Sequence, residues 1–416
     1  MCGIVGQIHY GEYSRPEAER RALSMVRSLH HRGPDAEGVM HSGPAVFGHA
    51  RLKIVDLSDS ANQPMSNASC MLVFNGEIYN YKELREELSG HYAFETSSDT
   101  EVILAAYQQW GEECFSRFNG DWALAIFDGS RQRLLLARDR FGIKPIYFHQ
   151  AETSLLFASE ISALVAGGVI PEISRDALLM AMRLRKNEFH DRTLASNIHV
   201  VRPGCFMTVD ADGRSTEHRY YDDSILAGGG QAASSHDLLE QFDHLLVDAV
   251  ALRYRADVPV GVCLSGGLDS TCIVAAARRA GKEVVTFSAG FPGEAADESE
   301  YFNAVNAHFG NEAVVRTSYP AGNILDSFET LVHQQDAPQG SLDTLGRCFV
   351  LDDAARQVKV VLDGQGGDEI FGGYGACYNL SRQMADERGL VPLDIDLYNR
   401  NVHKNRENPD FNAWFG

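Results

Sequence analysis

Val258-Pro259-Val260-Gly261-Val262-Cys263-Leu264 runs directly into Ser265-Gly266-Gly267-Leu268-Asp269-Ser270-Thr271. The first part is short, apolar and rich in valine, which predicts a buried strand over 258–264; a helix is expected from Ser270. A strand, a glycine turn and a helix start in immediate succession make a phosphate cradle. The glycines let backbone N–H groups approach an anion, Ser265 and Ser270 add hydroxyl donors, and the helix N-terminus adds positive potential. Asp269 is suited to hold Mg²⁺ on the phosphates. An ordinary strand-to-helix turn with an Asp/Ser cap would explain fewer of these residues. The loop is neither GxxxxGK[ST] nor GxGxxG, so the Walker lysine and the dinucleotide fingerprint do not apply.

Downstream, the pattern predicts a strand at 283–288, a helix near 298–309, a strand at 312–316, two further helices and a strand at 358–362. Alternating β and α segments imply an α/β doubly wound parallel sheet, with ligands at the carboxyl ends of its strands. A second loop, Leu362-Asp363-Gly364-Gln365-Gly366-Gly367-Asp368-Glu369-Ile370-Phe371-Gly372-Gly373-Tyr374, follows the last of these strands. Both acid-bearing loops are then expected to face one crevice, with Asp269 and Asp368 as candidates for sharing Mg²⁺; helix capping is the plain structural reading of Asp368.

Upstream, Asp222 to His236 (DDSILAGGGQAASSH) has linker composition and marks a domain boundary. The half before it reads differently. Ala18, Ala22, Met25, Val26 and Leu29 fall at helical spacing, and Val102, Ile103, Ala106, Tyr107 and Trp110 mark a second buried-face helix. Short β-type runs over 39–75 and 122–159 are separated by Gly, Pro, Asn and Asp, as in antiparallel sheets. Helices and strands in blocks imply an α+β domain.

A chain of 416 residues, 44% hydrophobic, has room for two or three full-sized domains. Acidic residues outnumber basic ones 57 to 37, for a net charge of −20 with no Lys/Arg stripe, which argues against a nucleic-acid partner. No apolar run of about 18 residues and no secretory signal pattern is present, so no membrane partner is expected and the reading is cytoplasmic. The 8 cysteines show neither a CxxC pair nor zinc-type spacing and are expected to be reduced and mostly buried.

Cys2, in Met1-Cys2-Gly3-Ile4, would gain a free α-amine if Met1 were removed. At a pKa near ~7.8 such an amine is roughly one-seventh unprotonated at pH 7, against about one in 2,500 for a lysine. A thiol with its own base is the nucleophile-plus-base arrangement of N-terminal nucleophile hydrolases.

Taken with Cys2, the strings His30-His31-Arg32-Gly33-Pro34-Asp35, Arg51-Leu52-Lys53-Ile54-Val55-Asp56, Asn75-Gly76-Glu77-Ile78-Tyr79-Asn80, Ser97-Ser98-Asp99 and Arg138-Asp139-Arg140-Phe141-Gly142-Ile143-Lys144-Pro145 resemble class II glutamine amidotransferases. The Ser265–Ser270 loop resembles the pyrophosphate loop of ATP pyrophosphatases. The two together, over about residues 1 to 375, resemble the glutamine-hydrolysing asparagine synthetases. The resemblance implies a glutaminase domain over 1–215 with an N-terminal nucleophile hydrolase-like fold of antiparallel sheets between helices, a linker over 216–236, and an ATP-pyrophosphatase-type synthetase domain over 237–416.

It also implies roles. Cys2 would be the nucleophile, with the Asn75 amide and the Gly76 N–H as oxyanion hole, where one lost donor typically costs ~3 kcal/mol. Arg51, Leu52, Lys53, Ile54, Val55, Asn75, Gly76, Glu77 and Asp99 would line the glutamine site, Arg51 taking the α-carboxylate and Asp99 the ammonium. Singly, Arg51 also reads as a surface ion pair, Asn75-Gly76 as a hairpin turn and Asp99 as a helix cap. ATP would contact Cys263, Leu264, Ser265, Gly266, Gly267, Asp269, Ser270, Ala289, Asp363 and Gly364. The implied substrates are glutamine, ATP and aspartate or a related carboxylate, with Mg²⁺. Ammonia would pass between the domains, and the family often forms homodimers.

Two departures bear on the acceptor. Gln365 stands where the family often has glutamate, and glutamine is no general base. The sequence ends at Gly416 after a polar stretch, where the family continues with a helical segment; a C-terminally short synthetase domain, or a chain active only as a glutaminase, is one expectation. Amidation of another carboxylate in polysaccharide or natural-product synthesis is a second. A non-catalytic glutamine or ATP sensor is a third, against which the intact Cys2, Arg51, Asn75, Gly76 and Asp99 set argues.

Overall fold

Runs such as Leu134-Leu135-Leu136 are apolar at consecutive positions, and a strand carries such a run when both of its faces are covered. The computed structural model, which describes residues 1–184, 192–222, 235–294, 297–317, 324–336 and 343–371, shows that covering. One antiparallel sheet contains β1 (Gly3–His9), β2 (Ala36–Ser42), β3 (Ala45–Arg51), β8 (Tyr147–Gln150), β9 (Ser154–Ala158) and β10 (His199–Val200), ordered β10-β8-β9-β1-β3-β2. A second contains β4 (Met65–Ser66), β5 (Cys70–Ile78), β6 (Gly120–Asp128), β7 (Arg133–Arg138), β11 (Cys205–Val209) and β12 (Ser215–Arg219), ordered β12-β11-β7-β6-β5-β4.

Alternate residues of each strand face opposite ways, which builds four layers. Ile4, Phe47, Val73 and Phe127 pack between the sheets. Val5 and Ala50 turn outward against α1 (Arg15–Ser28), and Leu72 and Phe74 turn outward against α3 (Asp99–Trp110). Helices α2 (Tyr81–Leu88) and α4 (Cys114–Arg117) lie on the α3 side, and α5 (Ile161–Ala166) on the α1 side; α6 (Arg175–Leu184) follows. Each fully buried Phe, Leu or Ile contributes about 1.5–3 kcal/mol, so this sandwich is a rigid support for a site at its edge.

The second half is a parallel sheet of β13 (Val260–Cys263), β14 (Val285–Ala289), β15 (Glu312–Arg316) and β16 (Val360–Leu362), ordered β15-β14-β13-β16. Helices α7 (Ser235–Arg253), α8 (Leu268–Arg279) and α9 (Ser299–Phe309) pack on one face, and α11 (Asp343–Ala354) on the other; α10 (Ile324–Gln335) and α12 (Gly367–Phe371) complete the described elements. Both parts of the expected fold class are therefore present.

Several local expectations need correction. The helix after the glycine loop starts at Leu268 rather than Ser270, because Gly267 in extended conformation already caps it. Helix α7 had no counterpart in the sequence reading: its Leu238, Leu239 and Leu245 are exposed, so its apolar pattern does not trace one buried face. Of the described cysteines, all unpaired, Cys70, Cys114 and Cys205 are buried, whereas Cys2, Cys263, Cys272 and Cys348 are partly accessible. Most of the linker read at 216–236, and Cys377, lie outside the described residues.

Candidate active site

Pairing of β1 with β3 sets Gly3 opposite Ala50, which carries Cys2 to the residue that follows β3. Leu52 N–H donates to Cys2 Sγ at 3.4 Å, and the thiol donates to the Leu52 carbonyl at 3.6 Å. Burial pushes the Cys2 thiol up, while the Leu52 N–H and the adjacent terminal ammonium pull it down. That terminus, carried by Met1, donates to the Arg32 carbonyl at 3.2 Å; burial lowers its pKa to about 6, and Arg32 and Lys144 add to the effect. An amine in these surroundings is mostly free base at pH 7.

His49 on β3 reaches across to the other sheet, its Nε2 lying 3.1 Å from the Phe74 carbonyl, immediately before Asn75 on β5. Asn75 is 1% exposed, and neither polar atom of its side chain has a hydrogen-bond partner among the described residues. A buried unpaired amide costs roughly 1–3 kcal/mol, so this group calls for a partner from outside the chain. Gly76 follows with φ +148°, and a Cβ there would stand 2.1 Å from the Asp121 carbonyl oxygen. Both residues lie inside β5 opposite Ala123 and Trp122, so the hairpin-turn reading does not apply.

Arg51 is 4% exposed and is no surface ion pair. Its Nη1 donates to the Ser58 carbonyl and to Asn62 Oδ1, both at 2.7 Å, and its Nη2 donates to the carbonyls of Asp56 and of Val55, the latter at 3.4 Å. The guanidinium thus closes the loop after β3, and a carboxylate reaching it would share these donors. Lys53 turns away, its N–H donating to Asp35 Oδ2 at 2.8 Å and its Nζ pairing with Asp59 at 2.7 Å.

Asp99 is the first residue of α3, with Ser98 as the cap, and its Oδ2 accepts from Ile78 N–H at 3.0 Å. Burial pushes Asp99 up to about 6 against these hydrogen bonds. Glu77 is held above its ordinary range by burial and then by the Asp99 charge. The two carboxyls thus share one buried region, in which the charge of Asp99 works against ionisation of Glu77. The fields of Arg51 and Glu77 also reach Cys2, so the five residues singled out from the sequence converge on one end of the sandwich.

At the other centre, β13 lies between β14 and β16, where strand order reverses; the loops after β13 and β16 therefore adjoin. Gly266 has φ +87°, and a Cβ there would stand 2.5 Å from Tyr301 Cβ. Ser265 and Ser270 brace the loop: Ser265 N–H donates to Ser270 Oγ at 3.3 Å, Gly267 N–H donates to Ser265 Oγ at 3.2 Å, and Ser270 Oγ donates to the Gly267 carbonyl at 3.2 Å. Cys263 and Ala289 end neighbouring strands, with buried Leu264 following Cys263. Asp363 pairs with Arg347 at 3.0 Å and accepts Gln365 N–H at 3.0 Å.

A Cβ on Gly367 would stand 2.5 Å from Asp269 Cγ, and one on Gly364 2.9 Å from Asp269 Cβ, so the loop after β16 packs directly on this carboxylate. Burial raises the Asp269 pKa, as do the charges of Asp368 and Glu369. Carboxylates crowded beside a glycine cradle fit a divalent cation on a polyphosphate. Among the described residues no group of three or more His, Cys, Asp or Glu is placed to hold a metal ion.

Residues 1–221 match the family model described as a glutamine amidotransferase domain, and residues 241–413 match that of asparagine synthase. A putative glutamine-hydrolysing asparagine synthetase 2 of Methanocaldococcus jannaschii is 34% identical over 406 residues, a match covering 90% of this chain and 76% of that one. The chain belongs to the glutamine-hydrolysing asparagine synthetase family. Asparagine synthetase 1 of Bacillus subtilis is 35% identical over 379 residues, covering 90% of this chain, and amidase chry2 of Gibberella zeae is 31% identical over 406 residues, also covering 90%. The chain spans 59% of the length of the first and 60% of the second.

Within this family member the structure adds residues that motif reading did not single out. His49 joins the sheets beside Asn75, and Asp139 accepts the N–H groups of Phe141, Ile143 and Lys144 at 2.9–3.0 Å, which folds Lys144 toward the N-terminus. Asp139 and Lys144 stood in a quoted string whose geometry no spacing rule predicts. His49 sits in an apolar strand and gives no local signal.

Proposed function

We propose that this chain is a glutamine-dependent asparagine synthetase. With Met1 removed, the Cys2 thiol would pass its proton to its own α-amine and attack the glutamine side-chain carbonyl, with Asn75 and the Gly76 N–H receiving the developing oxyanion. Collapse expels ammonia and leaves a thioester, which water cleaves to glutamate. Arg51 would take the glutamine carboxylate and Asp99 its ammonium. In the second unit Ser265, Gly266, Gly267 and Ser270 would cradle the phosphates of ATP, with Asp269 and Asp368 directed to Mg²⁺, which when bound neutralises phosphate charge. Aspartate would attack the α-phosphorus, releasing pyrophosphate, and ammonia would displace AMP from the acyl-adenylate. The glutaminase unit is placed at 1–215 and the synthetase unit at 237–416, acting in the cytoplasm.

The observation that supports this reading is the buried Asn75 amide without a partner among the described residues, next to Phe74, whose carbonyl the His49 side chain of β3 reaches from the other sheet. The test is to follow glutamate and AMP from the purified chain with aspartate, ATP and Mg²⁺ added or withheld. Glutamate release, with AMP only when aspartate is present, is expected. AMP formation that ignores aspartate but responds to another carboxylate would favour the second reading, which rests on Gln365: it is exposed on the loop after β16 and cannot act as a base there.

The carboxyl pair predicts a pH dependence. Asp99 must be ionised to take an ammonium, so KM for glutamine should be flat above its pKa of about 6 and rise toward tenfold per pH unit below it. Asp99→Asn should raise KM throughout and flatten the profile. The stability effect has the opposite sense. A folded-state pKa of about 6 exceeds the ~3.9 of an unfolded aspartate, so the folded chain binds the extra proton, and this group's contribution to stability falls as pH rises from about 4 to 6.

A further inference from the structure

The parallel sheet presents its carboxyl ends to the nucleotide loops and its opposite ends to the sandwich. Lys359, just before β16, pairs with Asp35 at 2.6 Å. The connection from α7 into β13 makes closer contact: both terminal nitrogens of Arg255 pair with Glu83 at 2.6 Å, and its Nη1 also donates to the Tyr79 carbonyl at 2.7 Å, just past β5. Arg253 lies over the Tyr79 ring at 4.7 Å. Asp257 then meets the loop after β3 in both directions: its N–H donates to the Ile54 carbonyl at 2.9 Å, and its Oδ2 accepts Asp56 N–H at 2.8 Å.

Asp56 is the junction of the glutamine loop. It is buried, with φ +54°, a left-handed conformation in which aspartate is tolerated but most residues are strained. Its carbonyl accepts from Arg51. Its Oδ2 accepts Ser97 N–H at 2.8 Å, just before the cap of the helix that begins with Asp99, while Oδ1 accepts Ser58 N–H at 3.0 Å. The same short segment carries Leu52, which holds the Cys2 thiol. One residue therefore ties the segments that carry Arg51 and Asp99, the expected partners of the glutamine carboxylate and ammonium, and its own N–H is held from the other unit.

We infer that Asp257 is a positioning residue for glutamine, through which the docked synthetase unit sets the geometry of the Arg51–Asp99 end of the glutaminase pocket. The inference rests on the proposed glutaminase role. Loss of the Asp257 carboxylate leaves the Asp56 N–H unpaired and frees the loop at the point where Arg51 and Ser97 are tied, whereas Asn75 and Gly76 are held by the pairing of β5 with β6, and Leu52, which holds the Cys2 thiol, directly follows the paired end of β3. Substrate binding should suffer and the chemical step should not.

The experiment compares full-length wild type with Asp257→Ala and Asp257→Asn for glutamate release, after titrating active sites with a thiol-alkylating glutamine analogue. Asp257→Ala should raise KM for glutamine about five- to tenfold, the scale of one ordinary hydrogen bond lost, with kcat per titrated site within about twofold. Asp257→Asn keeps an acceptor oxygen and should restore most of the affinity. An unchanged KM in Asp257→Ala, or a fall in kcat without a change in KM, overturns the inference while leaving the proposed function standing. A wild-type chain that titrates with the analogue and binds glutamine but releases no glutamate overturns the proposed function and this inference with it.

Discussion

Cys2→Ala is expected to abolish glutamate release from glutamine, by about 10⁴-fold or more, while ammonia-supported AMP formation continues. The size follows from the chemistry: without the thiolate no thioester forms, and the oxyanion donors alone have no attacking atom to serve. Persistence of the second activity follows from the architecture. The nucleophile sits at the start of β1 and is held by Leu52, whereas the glycine cradle lies at the far end of β13, about 26 Å along an extended chain from Asp257 to Ser265 at ~3.3 Å per residue. Alanine at position 2 removes a thiol that, among the described residues, is hydrogen-bonded to the Leu52 backbone, so the fold should be little affected. The measurement is glutamate and AMP production with either glutamine or ammonium chloride as nitrogen source. Glutamate release by Cys2→Ala at more than a few per cent of the wild-type rate would remove Cys2 from the role of nucleophile.

Much of this architecture was legible because its physical causes are local. The Ser265–Ser270 loop announces itself: a left-handed glycine beside Tyr301, a second glycine as helix cap and two bracing hydroxyls are needed at those positions. The consecutive apolar runs of the first half fit strands, and the structure shows why, since helices cover both outer faces. What could not be read was set by pairing across distance. Asp257 lies in a stretch with no periodicity, and its partner Asp56 closes a quoted motif without any signal of its left-handed backbone. Arg51 reads as a free carboxylate clamp in sequence, but its donors are already engaged by the loop it closes, a fact that depends on how residues 55–62 return to it. Glu77 and Asp99 look like independent acids, but burial raises both, and the Asp99 charge adds to the rise at Glu77.

Asp269→Asn should produce the opposite of an ordinary damaging mutation: nucleotide chemistry falls steeply while the protein gains stability. The fold packs this carboxylate under Gly364 and Gly367 and within reach of the negative charges of Asp368 and Glu369, an arrangement that raises its pKa because ionisation is disfavoured there. A nearly isosteric amide removes one of the repelling charges without adding volume, so the melting temperature at neutral pH should rise. Sites that keep unfavourable charge together do so for a ligand that reverses the balance, and a divalent cation on a polyphosphate is such a ligand. Pyrophosphate release should therefore fall about 10²- to 10³-fold, the scale of losing one preorganised electrostatic partner, and excess Mg²⁺ should recover part of it. Glutamate release should be unaffected, because Asp269 lies on the nucleotide side of the sheet, opposite the face that docks on the sandwich. Parallel melting curves and Mg²⁺ titrations of pyrophosphate release decide the matter: a destabilised variant would mean that Asp269 is a structural cap, and a stable variant with full activity would exclude it from the cation site.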